Sequence, residues 1–465
     1  MLNKILERNR TICGELVEEL LRSYEYVSLL GVANSGVRVR VDDKSISLSD
    51  SDTEYGYVVK IYNNGSISEY SFNDISKKLL PQLLFEIKKT VDSNTKYKKV
   101  SLNPIIDQAL KRDFAREDLG VLSEKEITER LTDIKNKALG YNEKIINAVA
   151  LYNKIEISKI FISKNKNLSQ YYTWTNAYAI VVAKGDDNNI KMARKVTGSY
   201  NSTEALDGLK GEVDATCDLA IKLLNAKPIT PGEYEVITDP SITGLIAHEA
   251  FGHGVEMDMF VKNRAKGKDY IGDYVASPLI SMHDGASSWD SVASYFFDDD
   301  GVLAHDTLII NDGKLQTGIS DMLSALELGT IPTGNGRRES YLRKAYSRMT
   351  NTYFSKGTSK VEDMIKSIKH GYYLCETNNG MEDPKNWQIQ CTAEYGLEIV
   401  DGKFSGNIVS PVVISGYVPD VLKSISMVSD SFEVSGSGYC GKGHKEWVRV
   451  SDGGPHLKAK VKLGW

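Results

Sequence analysis

The feature that most restricts the fold is the setting of Asx-Gly pairs against short apolar runs. Asn64-Gly65 separates two alternating stretches, 57–62 and 66–72. Both central positions of a tight hairpin turn need positive φ, which Asn and Gly adopt at little cost, so the pair predicts two antiparallel strands. Asp300-Gly301, Asp312-Gly313 and Asp401-Gly402 recur near apolar runs at 307–310, 397–400 and 408–414. The second half of the chain therefore reads as rich in antiparallel hairpins. Helical signals interleave with strands in the first half. The opening twenty residues are amphipathic, Ser123 with Glu126 forms a capping box for a helix expected to run to about 150, and another helix covers 202–224. Further strand candidates lie at 38–41, 154–163 and 171–183. The mixture predicts an α+β fold. Pro228, Pro231 and Gly232 break the pattern. They predict two domains, an α+β N-terminal one over 1–230 and a β-rich, antiparallel, barrel-like one over 231–465 that starts with a strand at 234–238.

Composition narrows the function. Lysine and arginine total 57 against 62 acidic residues, a net charge of −5 with no dense basic block, which argues against a direct nucleic-acid ligand. Apolar runs such as 179–183 fall far short of the roughly 18 to 20 residues that span a bilayer. The amphipathic start lacks the apolar centre of a signal peptide, so the expected compartment is the cytoplasm. Five scattered cysteines fit reduced thiols rather than a disulfide framework.

Histidine is scarce, with seven in the chain, yet two bracket the run His248-Glu249-Ala250-Phe251-Gly252-His253. Residues 241–247 read as the start of a helix capped by Asp239 or Ser241, with Pro240 near its first turn. In the H-E-x-x-H spacing, histidines four apart lie about 40° from each other on a helix and converge on one metal. Five apart, they diverge by about 140°. Gly252 is where the helix can end or take up the extra residue as a π-type bulge, after which both imidazoles can reach one ion. Neutral imidazoles suit Zn²⁺, and Glu249, beside the first ligand but not coordinating, can take a proton from water that the ion acidifies. Two histidines leave the set one protein ligand short. Glu256, His283, His305, Cys440 and His444 are the candidates, and spacing does not choose among them. The rival reading makes His248 and His253 hydrogen-bonded core or capping residues and Glu249 a surface carboxylate.

Other blocks accompany this run. Glu256 closes the stretch 244–256, and downstream come Phe297-Asp298-Asp299-Asp300-Gly301-Val302, Gly334-Asn335-Gly336-Arg337-Arg338 and Arg348-Met349-Thr350-Asn351-Thr352-Tyr353. Gly380, the stretch 396–402 and Gly436-Ser437-Gly438-Tyr439-Cys440-Gly441-Lys442 follow. In kind and order these resemble the blocks of the TldD/PmbA family of metallopeptidases, also called modulators of DNA gyrase; region 38–62 is similar more loosely. The resemblance implies Zn²⁺ held by His248, His253 and Cys440, with Glu249 as catalytic base. A thiolate and two neutral imidazoles would leave such a site near a net charge of about +1 with a fourth position open. It further implies a metallopeptidase acting on peptides or unfolded polypeptides, working as a homodimer or as a heterodimer with a related subunit that lacks the motif. A noncatalytic peptide-binding or assembly subunit of such a dimer is the alternative.

The remaining residues receive secondary roles. Arg348, Thr350 and Asn351 offer groups suited to hydrogen-bonding a substrate backbone, against the plainer reading of a strand with a polar face. Glu256 could orient a ligating histidine from behind. Arg337 and Arg338 read as a solvated or salt-bridged pair. Residues 436–441 satisfy G-x-G-x-x-G, but they lie near the end of the chain, outside a βαβ unit and without the acidic residue about twenty positions on, so no dinucleotide site is expected. His283, His305 and His456 read as nonligands, while His444 stays open through its closeness to Cys440.

Overall fold

The computed structural model describes residues 1–93, 100–443 and 446–465. In the N-terminal half, seven strands form one sheet in the order Ser66–Phe72, Ile46–Asn63, Tyr26–Val41, Ile145–Ser163 and Lys166–Lys184. Leu110–Arg116 and Ile190–Ser199 both pair with the last of these. All neighbours are antiparallel except Leu110–Arg116, which runs parallel to Lys166–Lys184. Alternation sends one set of side chains to each face. Val27, Leu29 and Ile160 meet helices Lys4–Leu21 and Leu80–Ser93, while Val39, Val41 and Ala150 meet helices Glu124–Leu139 and Ser202–Leu223. One face is thus helix-covered.

The predicted hairpin joins Ile46–Asn63 to Ser66–Phe72, with φ of 48° at Asn64 and 83° at Gly65. The capping box forms as expected, Ser123 accepting from the Glu126 amide and Glu126 from the Ser123 amide. That helix ends at Leu139, however, and does not run to 150. Gly140 stops it, and Ile145–Ser163 is a strand paired on both sides, its β-branched and small residues alternating between the two sheet faces. Tertiary pairing overrides the local helical signal there.

In the C-terminal half, five strands close into a barrel: Gly232–Thr238, Leu457–Gly464, Val412–Tyr417, Gln388–Val400 and His370–Asp383, the last returning to pair with the first. Asp401-Gly402 turns Gln388–Val400 into Lys403–Val409, and Asp312-Gly313 turns Thr307–Asn311 into Lys314–Leu315, both with positive φ at each turn position. A second sheet runs Lys314–Leu315, Thr307–Asn311, Met282–Asp284, Asn351–Phe354, Val448–Gly454, Glu433–Cys440. Helix Pro240–Ala247 lies between barrel and sheet, its Ile242, Leu245 and Ile246 in one core with Val236, Ile389, Val450 and Phe354. Among the described residues no helix is long and apolar enough to cross a membrane.

Asp300-Gly301 does not make the expected hairpin. Gly301 takes φ 71°, but the turn closes only a single bridge between Phe297 and Leu303. Its three aspartates are nearly inaccessible: Asp298 accepts from the amides of Asp300, Val302 and Gly336 within the turn region, while Asp299 and Asp300 join the halves of the molecule. Lys60 pairs with Asp300, Lys159 Nζ lies 2.5 Å from Asp299, Lys166 Nζ donates to the Gly301 carbonyl at 2.8 Å, and Gln170 Nε2 donates to the Phe297 carbonyl at 2.8 Å. Phe297 packs with Leu30, Val32, Phe161 and Leu168 on the sheet face that the helices leave free. Arg338 pairs with Glu69 at 3.1 Å across the same seam.

Candidate metal centre

The centre is built on one distorted helix. Asp239 caps it by accepting from the Ile242 amide at 2.8 Å, and Pro240 fills its first turn. At Gly244 the helix touches the second sheet so closely that a Cβ would sit 2.3 Å from the Gly453 nitrogen. At His248–Gly252 the chain makes one π turn, in which the His253 amide bonds the His248 carbonyl, and a 3₁₀ turn follows over His253–Val255. The wider turn absorbs the extra residue in the spacing. The two imidazoles then face each other with ring centres 5.2 Å apart, nearly perpendicular.

Cys440 ends strand Glu433–Cys440 and brings its Sγ within 3.3 Å of His248 Nε2 and 3.2 Å of His253 Nε2. The three donor atoms all lie within 4.8 Å of one another. Of the other described candidates for a third ligand, none but Glu256 approaches. His283 bonds Asp306 at 2.9 Å and stacks on Tyr353, His305 is exposed, and His456 lies between Tyr373 and Ser431. His444 lies outside the described residues.

Glu256 stands behind the centre. Its Oε2 is 3.4 Å from His253 Nδ1, leaving Nε2 of that ring turned toward Cys440. Two cations hold the carboxylate, Arg348 through Nε at 3.1 Å and Lys442 through Nζ at 3.0 Å. Arg348 also donates to the Cys440 carbonyl at 3.0 Å and to the Glu446 carbonyl, so one guanidinium ties both ligand-bearing segments together. Thr350 bonds Asp284 at 2.9 Å, and Asn351 bonds the carbonyls of Gly285 and Trp289, both at 2.9 Å. Arg348, Thr350 and Asn351 are all fully inaccessible. The expectation that they grip a substrate backbone gives way: their donors are spent inside the protein, and they act as scaffold.

Electrostatics follow from the packing. Burial alone would depress His248 and raise the Cys440 thiol, but their mutual attraction wins, holding His248 up at about 9 and Cys440 well below the ordinary thiol range. His253 is held high in the same way, against its burial, by Cys440 and Glu256. Metal ligands bind as neutral imidazole and thiolate, so uptake of a divalent cation by these three groups would release any protons that their rings carry. One thiolate and two imidazoles form a donor set suited to zinc. Glu249 is 6% exposed, and burial pushes its carboxyl above the usual range. Gly380 faces it, where a Cβ would lie 2.6 Å from its Cγ and Oε1.

Sequence reasoning missed Glu382. Both of its carboxyl oxygens are buried without a partner among the described residues, as is the nearby indole nitrogen of Trp387. Gly254, next to His253, meets both; a Cβ there would lie 3.0 Å from Glu382 Oε1 and 3.7 Å from Trp387 Nε1. An acid at the end of a barrel strand carries no spacing signal, so only the fold reveals it.

Comparison with known proteins places the chain in a family. The model of the PmbA/TldA metallopeptidase C-terminal domain matches residues 231–462, which include the helix, the π turn and Cys440. A protein of Methanothermobacter thermautotrophicus named "Metalloprotease" is 26% identical over 459 residues, covering 98% of each chain. A "Zinc metalloprotease TldD homolog" of Saccharolobus solfataricus is 30% identical over 305 residues, covering 61% of this chain and 66% of that one. Among solved structures, TldE of Thermococcus kodakarensis superposes with a TM-score of 0.75 at 16% identity, covering 97% of this chain and 99% of its own. A Bacteroides thetaiotaomicron protein named for modulation of DNA gyrase gives 0.79 at 17% identity, covering 100% of both. Matched end to end in fold, and matched over its ligand-bearing half by the family's own domain, the chain belongs to the TldD/PmbA family of metallopeptidases.

Proposed function

We propose that this chain is a two-domain zinc peptidase, divided at 230/231, that hydrolyses peptide bonds in peptides or unfolded polypeptides. The observation that carries the reading is the meeting of three donor atoms, two from one distorted helix and one from a strand nearly two hundred residues on, within 4.8 Å of one another. His248, His253 and Cys440 would hold the ion. When bound, zinc would supply Lewis-acid polarisation of the scissile carbonyl and make water acidic enough to attack at neutral pH. Glu249 accepts the proton from the attacking water at its carboxylate and delivers it to the leaving amine. Its burial keeps that carboxylate poorly solvated and basic. Glu256, clamped by Arg348 and Lys442, fixes the orientation of His253 throughout. TldE shares the fold over nearly the whole chain, which makes a related subunit, or a second copy, a fitting partner.

The test is elemental analysis of purified wild type beside His253→Ala and Cys440→Ala, followed by cleavage of a panel of unfolded peptides by wild type and Glu249→Gln. The expected outcome is about one zinc per chain, lost in both ligand variants, with cleavage abolished in Glu249→Gln while its zinc is kept. A wild type that takes up no zinc, or that cuts no peptide when loaded, would overturn the reading in favour of a noncatalytic assembly subunit.

A further inference from the structure

The sheet face that receives the 298–301 turn is covered over only part of its length. Lys159 and Gln170 lie beneath the turn, but farther along the same face Gly36, Arg38, Ile155 and Tyr178 floor an open trough of about 600 Å³. One wall comes from the hairpin of Glu433–Cys440 and Val448–Gly454, through Tyr439 and its cross-strand neighbour Arg449. Adjacent residues on a strand point to opposite sides. Cys440 turns toward the metal centre and Tyr439 toward the trough, so the two sites lie back to back across one hairpin.

The charge of the trough has one sign. Arg38, Arg40 and Arg449 bring guanidiniums to it, Lys154 borders it from a strand position that faces the helices, and no aspartate or glutamate among the described residues lines it. Arg40 is matched by Asp42, and Lys154 by Asp118 and Glu156. Arg38 and Arg449 have no carboxylate partner among the described residues; Arg38 is exposed, and Arg449 donates only to the Tyr439 hydroxyl at 2.6 Å, its guanidinium 4.9 Å from that ring. Tyr178 lines the same trough as both guanidiniums. Two cations without counterions thus converge over a floor of isoleucine and tyrosine.

We propose that this trough holds an acidic segment of the polypeptide substrate, its carboxylates on Arg38 and Arg449 and its apolar side chains on Ile155 and Tyr178. The assignment rests on the peptidase reading of the neighbouring centre, and it makes acidic unfolded polypeptides the preferred substrates. Guanidinium and carboxylate pair by parallel hydrogen bonds, a geometry that rewards an Asp or Glu side chain. An apolar floor suits the residues between them better than it suits a sugar-phosphate backbone.

The experiment uses the full-length, zinc-loaded Glu249→Gln protein, so that bound peptide is not cut. Fluorescence anisotropy compares labelled unstructured peptides of equal length, one rich in Asp and Glu and one rich in Lys and Arg, with a single-stranded oligonucleotide as competitor. The acidic peptide is expected to bind at least about tenfold more tightly than the basic one, with affinity falling as salt rises. Arg38→Glu, at an exposed position, weakens that preference, and Arg38→Glu with Arg449→Glu reverses it; an unchanged unfolding midpoint and zinc content confirm that each variant is folded. Equal affinities, a preference that survives the double reversal, or displacement of the acidic peptide by oligonucleotide of equal charge would overturn the proposal. Zinc-loaded wild type that cuts peptides without regard to acidity leaves the peptidase reading standing and removes the trough from it. A strong acidic preference in binding with no cleavage by wild type does the reverse.

Discussion

Arg348 carries more of the centre than any residue that would touch the ion. Buried completely, it pairs with Glu256 and donates to the carbonyls of Cys440 and Glu446, so its loss would leave that carboxylate with Lys442 as its one cation and take the donor from two carbonyls at once. Arg348→Lys keeps the charge but not the fork of donors. We expect zinc affinity to fall about 10- to 100-fold, measured by competition with a chelator, because groups that orient a ligand typically matter by that amount. Glu382 makes the opposite case. A buried carboxyl with no partner costs about 1–3 kcal/mol, so Glu382→Met should raise the denaturant midpoint; a fall instead would mean that the carboxyl has a partner in solution. His248, Glu249 and His253 stood out in the sequence because ligand chemistry restricts residue type and spacing, whereas Cys440 was one of five candidates for the third ligand and was singled out only by the family resemblance. Arg348 was legible as important but not in its role, since its partners lie 92 residues away on either side. Nothing in the chain's local pattern says whether a polar side chain on a strand looks outward to a substrate or inward to a carbonyl.

The decisive element is the π turn. Two histidines five residues apart could share an ion only if the helix widened, and Gly252 marked the place. The structure adds a reason for glycine there: a Cβ at 252 would lie 2.0 Å from the sulfur of Met349, which is itself inaccessible. Gly252→Ala should therefore cost about 1–3 kcal/mol by overpacking and lower zinc occupancy by pushing the turn off strand Asn351–Phe354 and its approach. Met349→Ala leaves a cavity of its own, costing about 2–5 kcal/mol. Combined, the two should cost clearly less than their sum, since the second removes the atom that the first collides with. Denaturant unfolding of the four proteins measures that coupling, and additive costs would show that the π turn is not seated on Met349. Elsewhere, elements were legible where turn chemistry leaves little choice, as at Asn64-Gly65 and Asp401-Gly402. They were misread where tertiary contacts decide. The 124–139 helix seemed to continue because alanine and isoleucine follow Gly140, yet pairing on both edges makes 145–163 a strand. Asp300-Gly301 has the composition of a hairpin turn but is held open by lysines from the other half of the chain.

At the scale of the whole molecule, those lysines tie the N-terminal sheet to the 298–301 turn of the C-terminal half, and the charged seam around them makes the joint sensitive to acid. Glu69 sits in the seam between Lys60 at 3.2 Å and Arg338 at 3.1 Å. Burial opposes its ionisation, but the two cations outweigh burial and hold its carboxyl down at about 2, against 4.5 when free. A carboxyl depressed in the folded state binds fewer protons there than in the unfolded chain, so stability rises with pH between the two values. The contribution of Glu69 is complete above about 4.5, declines as pH falls below that, and is gone near 2. Glu69→Gln removes the titrating group and leaves Lys60 with Asp300 and Arg338 with the carbonyl of Arg343. The variant should unfold at a lower temperature than wild type at pH 7, and the two curves should converge as pH is lowered from 5 toward 2.5. Scanning calorimetry across that range reads the effect directly. A constant gap would place the cost of Glu69→Gln in packing rather than in charge. Because the same seam borders the basic trough, acid that loosens it should also widen the approach to Tyr439 and Arg449, and intrinsic fluorescence of the adjacent Trp447 would report that opening before the barrel itself unfolds.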